Sequence, residues 1–145
     1  IEEGGGIVLD REHARIDQLA GVALAVAEGY RNIAVTVATP EIAEIIHRIH
    51  PDTLIFAVHV TGLSHDEAEV LVSASDLVTS CASKTIREIA GAGALLQAGI
   101  SVPIFAMTQK GKVLILEKIR QSDDPVLVKP TRLPALGDKQ PSPLV

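Results

Sequence analysis

Asp76–Ala90 reads D-L-V-T-S-C-A-S-K-T-I-R-E-I-A. Leu77–Ser80 has the apolar, β-branched character of a short buried strand. A tight corner follows at Cys81–Ser83, and the pattern then changes to helix over about Lys84–Ala98, ending at Gly99. A strand running straight into a helix is the building unit of an α/β fold. The ends of such strands are also where ligands bind in open α/β sheets.

The flanking sequence repeats the unit. Ile33–Thr39 is a β-branched run closed by Pro40, and Ile42, Ile45, Ile46 and Ile49 then recur on one helical face. Leu54–Val60 is the next strand. Ser64 with Glu67 has the spacing of a capping box for a helix over about Asp66–Ser75. Val102–Met107 predicts a fourth strand, and Gln109–Gln121 a helix with Val113, Leu116 and Ile119 inward. Val126–Val128 predicts a short last strand. Upstream, Arg15–Glu28 predicts a helix burying Ile16, Leu19, Ala23 and Val26, with Asp17 in its first turn, and Ile7–Leu9 a further short strand. Short connections between repeated units imply a parallel sheet. The expected fold is an α/β three-layer sandwich, Rossmann-like or flavodoxin-like, with a mostly parallel sheet of about five strands and helices on both faces.

Composition agrees with this. The chain has 145 residues, enough for a single domain, and is 47% hydrophobic but only 2% aromatic, so its core must be aliphatic. Net charge is −5, and the near absence of aromatic side chains leaves little on which bases could stack, which argues against nucleic-acid binding. A single cysteine excludes an internal disulfide and a Cys₄ zinc site, and fits a reducing cytoplasmic compartment. The longest apolar run, Leu19–Ala27, is far short of the roughly 20 residues of a membrane span. The start at Ile1, the polar glycine-rich opening 1–6 and a mean hydropathy of +0.31 predict a domain joined by a linker to an N-terminal partner domain. Residues 130–145, with prolines at 130, 134, 141 and 143, predict an extended arm on this domain or a neighbour.

If every strand is parallel, the strand C-termini share one edge. That edge would gather Thr39; His59, Thr61 and Gly62; Ser80, Cys81, Ser83 and Lys84; Thr108 and Lys110; and then Lys129 and Arg132. It is cationic and hydroxyl-rich within an acidic chain, which predicts a small anionic ligand such as phosphate, nucleotide or carboxylate. Cys81 precedes a helix N-terminus, where free amides and the helix dipole favour negative charge, and Lys84 adds a cation. Cys81 is therefore a candidate nucleophile or redox thiol, with His59 as a candidate base. The competing reading makes Cys81 a small hydrophobe under the helix and His59 a strand-end hydrogen-bonding group. Thr61, Gly62, Ser80, Ser83, Lys84, Thr108 and Lys110 are the candidate ligand contacts. His47 and His50 are too few for a metal site, His65 is expected to be exposed, and the residues leave any cofactor unknown. Gly4–Gly6 lacks phosphate-loop spacing. Gly91 and Gly93 weaken their helix, a cost that close packing would offset.

Four stretches, G-G-G-I-V-L-D with A-R-I-D-Q-L-A-G-V, C-A-S-K-T-I-R-E-I-A, A-L-L-Q-A-G-I-S-V-P-I-F-A and D-K-Q-P-S-P-L-V, together resemble the C-terminal part of the methanogenesis marker protein 8 family of archaea. The resemblance implies an anaerobic cytoplasm, an N-terminal region beyond this sequence, and an accessory role in methanogenesis. That role would be assembling or activating methyl-coenzyme M reductase or its cofactor, with a methanogenesis protein or a second copy of the chain as partner. It carries over no catalytic residues.

Overall fold

A computed structural model describes residues 1–138 and 141. After a single turn of 3-10 helix at Glu2–Gly4, the elements are α1 Gln18–Ala27, β1 Ala34–Val37, α2 Pro40–Ile49, β2 Leu54–Ala57, α3 His65–Ser73, β3 Leu77–Thr79, α4 Lys84–Gly93, β4 Leu96–Ala98, β5 Ile104–Ala106 and α5 Gln109–Arg120. One five-stranded sheet has the order β1-β2-β3-β5-β4.

The sheet is mixed, which corrects the mostly parallel expectation. β1, β2 and β3 run parallel, while β5 is antiparallel to both β3 and β4. The cause lies in Ala94–Ala98. The sequence pattern predicts helix as far as Ala98, but α4 stops at Gly93, where small residues give the helix little to hold it. Leu96–Ala98 then pairs with Ile104–Ala106 as a hairpin that turns at Gly99, whose φ is +78°. Residues 126–128 and 7–9 form no strand.

Strand alternation sorts the core. Val37, Ile55, Ala57, Val78 and Phe105 meet Val22, Ala43, Ile46, Ala68, Leu71, Ile86 and Ala90 of α1–α4 in the main cluster. Leu77 and Ala106 turn to the other face, against Ile115 of α5. Leu54, Phe56, Leu96 and Ile104 belong to this smaller cluster and are only partly buried, because among the described residues α5 is the one helix packed there.

Two helices sit differently from their sequence pattern. α1 starts at its N-cap Asp17, which accepts from the Ala20 amide at 2.9 Å. Ile16 therefore lies before the helix and is 87% exposed. In α5 the inward positions are Gly111, Ile115 and Ile119, not Val113 or Leu116. Gly111 sets this rotation: a β-carbon there would overlap the Asp76 carbonyl oxygen, so helix and strand meet at backbone contact. The arm lies on its own domain. A β-carbon on Gly91 would come 2.8 Å from the Pro134 ring, and the Gln97 side-chain amide exchanges hydrogen bonds with the Ala135 backbone. Residues 139, 140 and 142–145 of the expected arm lie outside the described residues. Among the described residues no helix is long and apolar enough to cross a membrane.

Candidate functional site

Because β1, β2 and β3 are parallel, their C-terminal ends open on one edge, and the next segments leave it as the starts of α2, α3 and α4, of which the last two border a cleft. The α3 start is closed by its own residues. Ser64 Oγ accepts from the Glu67 amide at 3.3 Å and donates to Glu67 Oε2 at 2.7 Å, and the Ser64 amide donates to Oε2 at 2.8 Å. The Ser64 hydroxyl, then its amide, hold the Glu67 carboxyl below its ordinary value.

The α4 start is less closed. Ser83 Oγ accepts from the Ile86 amide at 3.2 Å, and the Ser83 amide donates to the Ser80 carbonyl at 3.0 Å. Helix geometry leaves the amides of Lys84 and Thr85 without intrahelical acceptors. A cleft of about 370 Å³ lies between the two starts, lined by Gly62, Leu63, Ser64 and Glu67 on one side and Ser83, Lys84 and Thr85 on the other.

Three residues that open this edge have left-handed backbone: His59 at φ +58°, Cys81 at +46° and Gly62 at +89°. Glycine adopts that conformation freely, but His and Cys do so at a cost. The register Ala57↔Val78 brings the ends of β2 and β3 side by side. Even so, no hydrogen bond among the described residues joins Cys81 to His59. The Cys81 thiol is half-buried and packs against the main core, while His59 is exposed.

Of the residues read from sequence, Gly62, Ser83 and Lys84 line the cleft, and His59, Thr61, Ser80 and Cys81 flank it on the same edge. Lys84 is exposed, its Nζ 3.7 Å from Glu88. Thr108 and Lys110 are elsewhere, which corrects their grouping: β5 runs the other way, so its C-terminal end opens on the opposite edge. There Asp76, 5% exposed, accepts from the Ile55 amide at 2.9 Å and from the Thr108 hydroxyl, with Lys110 Nζ 3.9 Å away. Asp76 thereby fastens β2, β3 and the start of α5 together. Arg132 lines a separate cleft with Gly91 and Leu95, near the far end of α4. His65 is exposed, 3.4 Å from Glu69.

Sequence reasoning passed over Arg87. It sits on the buried stripe of α4 with Ile86, Ala90 and Gly91, is 6% exposed, and its Nη1 has no hydrogen-bond partner. Ser80, on the same corner, is fully buried with Oγ likewise unpartnered. The signal for Arg87 was its i, i+4 spacing to Gly91, which puts a cation on the close-packed flank of the helix.

A sequence model for a family described as "Uncharacterized protein conserved in archaea (DUF2099)" matches residues 1–120. An uncharacterized protein of Methanocaldococcus jannaschii is 40% identical over 148 residues, an alignment covering 100% of this chain and 52% of that protein. The chain thus spans about half the length of the curated relative it matches. No solved structure matches it.

Proposed function

This chain belongs to that archaeal family, with residues 1–120 as the matching region, and from this premise we propose that it is an accessory protein whose domain binds a small anionic ligand at the shared edge of β1–β3. The carrying observation is the convergence of the α3 and α4 starts on one cleft, with α4 presenting amides that its own cap leaves over. The resemblance to the methanogenesis marker protein 8 family supports placing this role in methanogenesis, beside methyl-coenzyme M reductase. The test is a structure of the full-length protein soaked with phosphate, a nucleotide or coenzyme M. Density is expected between Gly62–Ser64 and Ser83–Thr85, and a clean map at that edge for all three would sink the reading.

A second reading, an assembly module for a reductase-related complex, rests on a different observation. Beside α5 the second sheet face leaves a groove of about 350 Å³ whose walls include Phe56, Leu77, Ile104, Leu114 and Ile115. Light scattering on the anaerobically purified full-length protein addresses it. Association is the expected result, and a monodisperse monomer at all concentrations counts against it.

A further inference from the structure

Helix α5 has apolar residues on more sides than the domain buries. Gly111, Ile115 and Ile119 lie against the sheet. Val113 and Leu116, which the sequence pattern places inward with Ile119, are 62% and 42% exposed, and Leu114 is 43% exposed. Successive helical residues are turned by about 100°, so Val113, Leu114, Ile115 and Leu116 together reach every side of the helix. A helix that is apolar all round belongs in the interior of a fold, and an exposed patch of this kind marks a contact.

The sheet beneath lacks cover in the same place. β1 and β2 are parallel, and parallel strands are ordinarily covered on both faces. Val35 and Val37 of β1 turn to the helices of the main cluster. By alternation Ala34 and Thr36 turn to the second face, where both are exposed. Leu54 and Phe56 of β2 are half-buried on that face, and the groove of about 350 Å³ lies between Phe56, Leu77 and the Leu114 flank of α5.

Charge and length narrow the occupant. The one carboxylate of α5, Glu117, is engaged by Arg120 at 2.7 and 2.8 Å and by Gln121 at 2.7 Å. Lys112 and Lys118 form no ion pair among the described residues, and Lys118 stands on the rim of the groove. A two-fold contact of α5 with the α5 of a second copy would bring these lysines together with no free carboxylate on either helix, and like charges oppose it. The face suits an apolar stripe flanked by Asp or Glu instead. The alignment with the Methanocaldococcus protein takes in all of this chain and 52% of that protein, so about half of the relative's length remains to supply such a segment.

We propose that a helix of the same protein from outside residues 1–145, apolar on one side and acidic at its flanks, packs across α5 and the groove as the cover of the second sheet face. This goes beyond the anion reading and competes with the assembly reading for one surface.

The experiment is photo-cross-linking of the purified full-length protein, with a benzophenone side chain placed at Val113 and, in a second variant, at Leu116. Both positions are exposed in the 145-residue chain, so neither substitution disturbs its core. The expected product has single-chain mass and joins the probe to one segment outside residues 1–145. Mass spectrometry should find apolar residues at helical spacing in that segment, with Asp or Glu beside them. A product of double mass assigns the face to a second copy and overturns the proposal. A link to another part of residues 1–145, or to a segment without helical apolar spacing, also overturns it. No cross-link from either position overturns it too, and leaves the face to the assembly reading. The anion reading is tested separately by the soaked structure and stands or falls without this result.

Discussion

At the scale of single residues, two backbone positions have opposite consequences. His59 is exposed and left-handed, so its side chain contributes little burial while its backbone carries strain. Relief of left-handed strain is worth about 1–2 kcal/mol, and the extra chain entropy of glycine costs about 0.5–1 kcal/mol. His59→Gly should therefore raise stability by roughly 0.5–1 kcal/mol in urea unfolding. A loss instead would show that the imidazole makes a contact the fold needs. Gly111 has no such freedom. Its position against the Asp76 carbonyl leaves no room for a methyl group. Gly111→Ala should cost about 1–3 kcal/mol in the same measurement, because α5 must lift from the sheet. Neither effect was legible in the sequence. A left-handed His looks like any other strand-end His, and a glycine in Q-K-G-K looks like a weak helix residue until its neighbour across the sheet is known.

At the scale of elements, caps were legible and helix ends were not. Ser64 with Glu67 is a local pattern fixed by a few adjacent residues, and it starts α3 as its spacing predicts. The end of α4 is a contest between a weak glycine-containing helix and a distant strand, so Ala94–Ala98 could not be assigned from local pattern. The α3 cap makes a pH prediction. The folded-state pKa of Glu67 lies below its unfolded value, so its stabilisation is complete above the unfolded pKa and is lost as pH falls through the folded one. The Tm advantage of wild type over Glu67→Gln should be constant at neutral pH and shrink on acidification past the ordinary glutamate range. An advantage that grows on acidification would contradict this. The arm makes a separate prediction, since its hold on the domain includes the Gln97–Ala135 amide pair. Gln97→Ala should speed limited proteolysis within residues 131–138 while shifting the global Tm little, as expected for local opening.

At the scale of the whole molecule, sheet direction decides which residues can form a site. The three parallel strands were legible because each is a short apolar run followed by a helical pattern. The antiparallel pair was not, because β4 is only Leu96–Ala98 and follows a helix without a turn signal. Reversing β5 moves Thr108 and Lys110 to the edge held by Asp76 and leaves Lys84 at the cleft on the opposite edge. Among the described residues the same mixed topology leaves the second sheet face under α5 alone, and that has a measurable consequence. Leu114 borders the groove and is half exposed, so in the 145-residue chain Leu114→Glu should change stability by no more than about 0.5 kcal/mol, the usual range for surface substitutions, and should lower binding of an apolar dye. Ile115, its buried neighbour, should behave as core, with Ile115→Ala costing about 2–5 kcal/mol. If the groove is an assembly surface, Leu114→Glu in the full-length protein should instead dissociate the complex, which light scattering reads directly. A full-length Leu114→Glu variant that keeps both the stability and the mass of wild type would leave that face without an assembly role.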